Sequence, residues 1–302
     1  MVHNTIAAVI LTKNEEKHIA RCIGSLKNVC DEVIVVDSFS SDKTCDIAKS
    51  FNARVYKNAW KNYASQFNFA IHKCPIESEW IWRIDADEYL EGNIGSAVKE
   101  AVKKCDSDVN GIYVRKRIDF MGKPLKHGGW YPTYHLKVFR KGHGECENRW
   151  MDEHIRIFDG KTITVDEGNQ VDANLNGLTW WTDKHNHYAT REMIDMLMTE
   201  FELDAKGQEV IPMFFGTEEQ RKRWLKMKYV KAPLFVRPFA NFFYRYIIRG
   251  GFLDGKEGFI WHILQGFWYR MLVDAKIFEI KKKFNSNPVA IKEFLKDYLA
   301  CS

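Results

Sequence analysis

The sequence predicts an α/β fold: a Rossmann-like, mostly parallel central sheet followed by a C-terminal helical extension that is basic and aromatic. Strand-like apolar runs alternate with segments of helical periodicity in the first part of the chain. Polar or acidic residues directly follow three of these runs, as at the ligand-binding edge of an open α/β sheet. Beyond Thr217, cationic and aromatic residues dominate instead. We therefore expect one domain at residues 1–215 and an extension at residues 216–302.

Four short apolar runs predict the first strands, at residues 6–11, 32–37, 53–56 and 80–85. Apolar residues at helical spacing predict the helices between and after them, which end near Leu26 and Phe51 or cover 62–74 and 92–105. This alternation with short connections is typical of parallel βαβ units with right-handed crossovers. Later strands are expected at 111–115, 135–139 and 155–158, and a later helix ends near Leu203.

Composition indicates a globular protein with a substantial core. Of 302 residues, 45% are hydrophobic and 28% charged, which argues against disorder. Nowhere do about 18 uncharged apolar residues run together, so we expect no transmembrane helix. The first residues lead directly into a strand-like run, so we expect no signal peptide. The seven cysteines lack Cys-x-x-Cys spacing, which favours reduced thiols in the cytosol.

The fourth apolar run ends in a cluster of acids, Asp85, Asp87 and Glu88. Side chains alternate along an extended strand, so Asp85 and Asp87 are expected to point to the same side at its carboxyl end. Two hard oxygen ligands there suit Mg²⁺ or Mn²⁺, which takes few protein carboxylates and adds water and substrate phosphate. The alternative interpretation is a strand that ends in solvated turn acids.

Three other nucleotide or phosphate chemistries fit the sequence less well. The glycine-rich dinucleotide fingerprint and the P-loop pattern are both absent from the sequence. A dehalogenase-like phosphatase also carries Asp-x-Asp after a buried strand, its first Asp acting as the nucleophile. That class predicts the motif near the start of the domain, whereas here it follows the fourth strand.

The C-terminal part of the chain carries a concentrated positive charge. Residues 221–283 hold 15 Lys and Arg against 4 Asp and Glu, together with 15 aromatic residues, although the whole chain is only +5. Short basic, aromatic helices of this kind can lie in the headgroup layer of an anionic bilayer, which is the role we expect for this extension. One alternative is a helical subdomain that packs its aromatics inward. Nucleic acid is the weaker alternative, because no recognition motif accompanies the charge, and we expect no nucleic-acid partner.

Three motifs in order resemble one known family. They are the loop 12–16 after the first strand, Val35-Val36-Asp37-Ser38 after the second, and Asp85-Ala86-Asp87 after the fourth. Together they resemble the nucleotide-sugar-binding half of family 2 inverting glycosyltransferases, which have the GT-A fold. The branch of lipopolysaccharide-core β-glucosyltransferases is the closer resemblance, because it shares the motifs at 66–70, 128–132 and 251–255.

The resemblance implies roles for individual residues. The nucleotide-sugar pocket would be formed by Thr12, Asn14, Glu15, Asp37, Gln66, Asn68 and Asp85. Asp37 would hold the uracil or ribose, and Asp85 and Asp87 would hold Mn²⁺ or Mg²⁺ on the diphosphate. The loop at residues 126–132, which is rich in glycine and aromatic residues, would contact the acceptor through His127, Trp130 and Tyr131. The alternative is a plain β connection.

The base is predicted in a pair of neighbouring carboxylates. The branch has a Glu that follows a His shortly after the acceptor loop, and here the pair reads Asp152-Glu153. Glu153 matches the base, but Asp152 replaces the His, so which carboxylate acts stays open. A surface ion pair is the alternative for Glu153.

These implications define the expected activity. A bacterial enzyme at the cytoplasmic face of the inner membrane would move a hexose from a UDP-sugar onto a membrane-anchored glycolipid. The acceptor would be lipopolysaccharide core or a polyprenyl-diphosphate-linked glycan. Apart from the phosphatase, the alternative is a peripheral membrane adaptor built on a catalytically dead transferase fold.

Overall fold

The computed structural model describes residues 4–147, 153–201, 203, 213, 215, 224 and 227–301. By its internal contacts the chain divides into two compact units, residues 1–175 and 176–302. The predicted domain boundary at 215/216 falls in the stretch 202–226, most of which lies outside the described residues. That boundary stays a prediction.

The first unit is built on one mixed β-sheet. Its strands are β1 (Ile6–Thr12), β2 (Glu32–Asp37), β3 (Arg54–Lys57), β4 (Trp80–Asp85), β5 (Glu88–Glu91), β6 (Val109–Phe120), β7 (Lys123–Pro124), β8 (Thr133–Arg140) and β11 (Lys161–Asp172). They lie in the order β3-β2-β1-β4-β8-β6-β11-β5, and β7 pairs with β6 alone. The first four of that order are mutually parallel, β8 is antiparallel to both neighbours, and β11 is parallel to β6 and antiparallel to β5.

Apolar strands explain why helices cover this sheet. All seven residues of β1 are buried, so both of its faces must be packed. The helices of this unit are α1 (Ile19–Leu26), α2 (Thr44–Ser50), α3 (Tyr63–Lys73) and α4 (Ile94–Lys104). One core contains Trp80, Trp82 and the apolar residues of α1 and α4, and the other contains Ile81, Phe139 and those of α3. The alternation along β4 therefore assigns its residues to two different layers.

A two-stranded hairpin stands apart from the sheet. It consists of β9 (Gly144–Cys146) and β10 (Ile155–Ile157), which pair antiparallel. The strand predicted at 155–158 is thus present, but its partner is β9. Asn68 of α3 holds β9 in place, because its side chain bonds both the backbone N–H and the carbonyl of Cys146 at 2.9 Å.

The second unit is helical in its described residues. Its segments are α5 (Leu178–Glu200), α6 (Val236–Phe242), a π-helical stretch (Phe243–Ile248), a 3-10 turn (Gly251–Asp254), α7 (Gly255–Trp261), a second π-helical stretch (His262–Trp268), α8 (Tyr269–Lys283) and α9 (Pro288–Cys301). Its core joins α5, α8 and α9 through residues such as Leu197, Val273 and Leu295. None of the helices in the described part of the chain combines the length and the apolar content needed to span a bilayer.

Candidate active site

The candidate site lies where the parallel strands end. In the sheet register Thr12 is opposite Asp37, and Leu11 is opposite Asp85. These carboxyl ends therefore meet at one edge, as predicted. Since β8 runs antiparallel to β4, it begins at the same edge, and the loop 125–132 that precedes it lies there as well.

The two loops after β1 and β2 are joined by hydrogen bonds. The Asn14 side-chain oxygen accepts from the Ser41 amide at 2.9 Å, and the Glu15 amide donates to the Thr44 hydroxyl at 2.7 Å. Asn14 has a φ of 56°, a left-handed conformation that asparagine tolerates. These loops are thus a preformed unit at the edge of the sheet.

Asp37 is fully buried beneath those loops. Its carboxylate accepts from the Thr12 hydroxyl at 2.9 Å and from the Ser40 hydroxyl and amide at 2.5 and 2.8 Å. Burial alone would raise the pKa of Asp37, but the hydrogen bonds from Ser40 and Thr12 hold that pKa below its usual value. Asp37 is therefore an ionised acceptor fixed in orientation.

Asp85 is held from two sides. The Tyr63 hydroxyl donates to Oδ1 at 2.5 Å, and the Lys137 ammonium lies 3.6 Å from Oδ2. Burial acts to raise the pKa of Asp85, but the cations of Lys137 and Arg83 outweigh it and keep that pKa well below the usual range. The carboxylate is therefore ionised. It is also 29% exposed, so a ligand at the edge can reach it.

Asp87 is positioned by a turn. The strand ends at Asp85, and Ala86 and Asp87 form a turn before β5, so the alternation expected along one strand does not reach Asp87. The Asp87 carboxylate accepts from the Asn174 amide at 2.9 Å, and its carbonyl accepts from Arg21 at 2.9 Å. Within the described residues no three His, Cys, Asp or Glu side chains are grouped to hold a metal ion.

Glu88 is the buried centre of this turn. Its carboxylate accepts from the Asp85 backbone amide at 2.9 Å and from Lys137 at 3.1 and 3.2 Å. Lys116 lies 3.0 Å from Glu88 Oε1, the oxygen that does not accept from the Asp85 amide, and also pairs with Asp172 at 3.0 Å. A buried charge persists only when it is paired and hydrogen-bonded, and here every oxygen of Glu88 has cationic or amide donors.

Two residues predicted in the nucleotide-sugar pocket, Gln66 and Asn68, use their side chains for hydrogen bonds within the protein. The buried Gln66 amide donates to the Ser38 hydroxyl at 2.9 Å and accepts from Asn58 at 2.8 Å. Asn68 uses both ends of its side chain on β9. Their contacts with a ligand stay predictions, and the geometry gives each a role in shaping the edge.

The predicted base, Glu153, lies in the segment that connects the two strands of the hairpin, just before β10. Glu153 is partly exposed, and its backbone carbonyl accepts from the Arg83 guanidinium at 3.1 Å. Asp152, the second candidate, lies outside the described residues. In the predicted acceptor loop, His127, Trp130 and Tyr131 are all half-buried, and the Arg115 guanidinium stands 5.7 Å from the Tyr131 ring.

Sequence reasoning missed the residues that support the acids. Tyr63, Arg83 and Lys137 all contact Asp85 or its neighbours, yet they come from α3, β4 and β8. A lysine inside the apolar run of β8 was the available signal, because Lys137 is buried between Leu136 and Val138 along the strand. The carboxylates that Lys137 contacts, Asp85 and Glu88, could not be predicted without knowing that β4 pairs with β8.

The sequence profile described as Glycosyl transferase family 2 matches residues 7–158. These residues include the loops and acids of the sheet edge, and the chain belongs to this family. It is therefore a transferase, and the phosphatase alternative falls away.

Two relatives extend over nearly the whole chain. A glycosyltransferase of Rickettsia typhi, itself uncharacterized, is 27% identical over 96% of this chain and 92% of its own length. The lipopolysaccharide core biosynthesis glycosyltransferase LpsC of Rhizobium meliloti is 26% identical over 91% of this chain and 92% of its own length.

A solved structure supports the fold. A mannosyltransferase of Pyrobaculum calidifontis, in complex with GDP-Man and Mn²⁺, matches with a TM-score of 0.50 and 14% identity over 90% of this chain and 86% of that one. The predicted fold class, GT-A with a C-terminal helical region, is confirmed.

Proposed function

We propose that this protein transfers a hexose, with inversion, from a UDP-sugar to a membrane-anchored glycolipid, either lipopolysaccharide core or a polyprenyl-diphosphate-linked glycan. The observation that carries the proposal is the edge itself, where Asp37 and Asp85 end the two parallel strands that flank β1, as ionised, oriented carboxylates. The similarity to a lipopolysaccharide core glycosyltransferase supports the choice of acceptor. The loops of Thr12, Asn14 and Glu15 would then form the nucleotide pocket above Asp37.

The acids of the edge suit a divalent cation. Asp85 and Asp87 are half-buried carboxylates, and a carboxylate oxygen can accept more than one bond. Mn²⁺ or Mg²⁺ accepts such hard ligands and needs few of them when a diphosphate and water complete the shell. When bound, the cation would stabilise the negative charge that develops on the leaving diphosphate.

The side chains supply positioning and a proton acceptor. Glu153 would take the proton from the acceptor hydroxyl as that oxygen attacks the anomeric carbon, so one displacement suffices and no covalent enzyme intermediate forms. His127, Trp130 and Tyr131 lie in the loop at the same edge and would hold the acceptor sugar. Asp152 stays the alternative base.

The helical unit would bring the enzyme to its lipid-linked acceptor. Several of its exposed large apolar side chains lie in one stretch of the chain, at Phe239, Phe243, Ile247, Ile248, Phe252 and Leu253. Exposed Arg249 and Lys256 lie among them, whereas Asp254 of the same stretch is buried. Apolar side chains interleaved with cations fit the headgroup layer of an anionic bilayer. We place residues 216–302 in this role, at the cytoplasmic face of the inner membrane.

The activity is tested by incubating the full chain with a panel of UDP-hexoses and Mn²⁺. A transferase binds UDP in a metal-dependent manner and slowly hydrolyses its own donor when acceptor is missing. Adding lipopolysaccharide core or polyprenyl-diphosphate glycan should then redirect the sugar to the lipid. A protein that bound anionic vesicles but neither UDP nor any donor would be the adaptor instead, and the proposal would fail.

Membrane association is tested by flotation with vesicles of anionic and of neutral lipids. The full chain should float with anionic vesicles, and the double change Phe252→Ser and Leu253→Ser should weaken flotation several-fold because two exposed apolar side chains are lost. Val289→Ser removes an equally exposed apolar side chain, 64% exposed, from α9 and serves as the matched control. Equal flotation of all three proteins would contradict the assignment.

A further inference from the structure

Three elements converge on one side of β4, next to the candidate acids. Arg83 and Asp85 are two residues apart on this strand, so their side chains share the face that α3 covers. Tyr63 is the first residue of α3. Glu153 lies two residues before the first residue of β10, Ile155.

Hydrogen bonds join these residues in series. The Arg83 Nε donates to the Tyr63 hydroxyl at 2.8 Å, and the same guanidinium stands 4.2 Å over the Tyr63 ring. The Tyr63 oxygen accepts that bond and uses its one hydrogen to donate to Asp85 Oδ1 at 2.5 Å. The Arg83 Nη1 donates to the Glu153 carbonyl at 3.1 Å.

The order of donors fixes the orientation of every group in the series. A guanidinium is planar and presents its donors in a rigid fork, so binding Tyr63 with Nε sets where Nη1 can reach. The phenol cannot rotate its hydrogen away from Asp85 without losing a bond to an ionised acceptor. The backbone at Glu153 and the carboxylate of Asp85 are thus held in a fixed relative position, although they are 68 positions apart in the chain.

We propose that Arg83 and Tyr63 are positioning residues that couple the placement of the Glu153 backbone to the carboxylate of Asp85. The inference rests on the proposed function, in which Asp85 serves the donor side and Glu153 the acceptor side. The pair touches neither substrate. It keeps the proton acceptor at a set distance from the group that orients the donor, which an inverting displacement requires.

The test compares Tyr63→Phe, Arg83→Lys and the double variant with the wild type. Tyr63→Phe keeps the ring under the guanidinium and removes only the hydroxyl. Arg83→Lys keeps the charge and removes the fork. Arg140→Lys is the matched control, because Arg140 also stands over an aromatic ring, 4.6 Å from Trp80, at the opposite end of β4.

Hydrogen exchange of the 153–158 amides is the readout that does not depend on activity. Both single variants should speed this exchange, including Tyr63→Phe, whose change lies on α3 and not on the hairpin. Each should also lower glycolipid transfer about ten- to a hundredfold, since small misplacements in active sites cost that much. Arg83→Lys should leave the Mn²⁺ affinity in the presence of UDP, measured by electron paramagnetic resonance, within about threefold because Asp85 keeps the Tyr63 bond.

The double variant decides whether the pair acts as a unit. A coupled pair predicts that its loss is no greater than that of the more severe single variant, whereas independent residues give multiplied losses. Multiplied losses, or wild-type exchange of the hairpin in Tyr63→Phe, would overturn the proposal. If the wild type turned over no donor, the proposed function would fail while the exchange measurement still reported on the coupling.

Discussion

The backbone amide of Asp85 donates a 2.9 Å hydrogen bond to the carboxylate of Glu88, three residues further along the chain. This bond closes the turn that presents Asp87, and Glu88 itself is fully buried. The third acid of the cluster therefore serves the geometry of the other two. Its charge is balanced by Lys137 and Lys116, which come from neighbouring strands of the sheet.

Replacing Glu88 by Gln should lower the free energy of unfolding by about 3–5 kcal/mol, because it removes the buried counter-charge that Lys137 and Lys116 share and leaves them with the more exposed Asp85 and Asp172. The amide oxygen can still accept from Asp85, so the loss isolates the charge. Urea denaturation measures it. Glu91→Gln is the control, since Glu91 pairs with Arg117 while 42% exposed, and an equal effect of both changes would contradict the prediction.

Asp87→Asn should reduce transfer by about a hundredfold or more, since it removes one of two candidate acids facing the developing charge. Rates at increasing Mn²⁺ concentration would show whether metal affinity falls as well. Asp108→Asn, a change at a 47% exposed carboxylate paired with Lys161, is the control. Full activity of Asp87→Asn at every Mn²⁺ concentration would exclude a metal role for this acid.

Glu153→Gln should lower transfer by about 10²- to 10⁴-fold, the usual contribution of a general base. Donor binding, measured by calorimetry with UDP and Mn²⁺, should stay unchanged because the Arg83 bond is to the Glu153 backbone. Glu145→Gln on the same hairpin is the matched control. Retained transfer in Glu153→Gln would move the proposed base to Asp152.

The edge of the sheet could be predicted from the sequence because each strand that ends there is a short apolar run, which is a local sequence pattern. The second and fourth strands occupy the predicted residues, 32–37 and 80–85. Asp37 and Asp85 follow from that pattern alone, since parallel strands end at a common edge. The cores on both faces follow in the same way from continuous apolar runs.

The support beneath the acids was beyond local patterns. Lys137 reaches Glu88 from a strand 49 positions away, and Gln170 reaches it from 82 positions away. Both contacts depend on antiparallel or bulged pairings of β8 and β11, whose register is set by tertiary packing. Asn174 likewise meets Asp87 only because β11 ends beside the turn.

In the helical unit, His262 predicts a pH dependence of stability. Its imidazole is fully buried against Gly251, and neither ring nitrogen has a hydrogen-bond partner among the described residues. Burial first, and the neighbouring Arg245 second, lower the pKa of His262 to about 4, against a smaller opposing effect of Asp254. Between pH 6.5 and 4 the unfolded chain therefore binds a proton at this residue that the folded chain does not.

The free energy of unfolding should consequently fall as the pH falls, with His262 contributing a loss of about 2 kcal/mol between pH 7 and 5. His262→Phe removes the titrating group but keeps a ring, so its stability should depend less on pH by that amount, whatever its absolute value. Denaturation at pH 5, 6 and 7 measures the difference, with His187→Gln at an exposed position as the control. Parallel losses of stability in the wild type and in His262→Phe on acidification would contradict the prediction. They would mean that His262 binds a proton as readily in the folded chain as in the unfolded chain, although its ring is buried between Gly251 and Gly266.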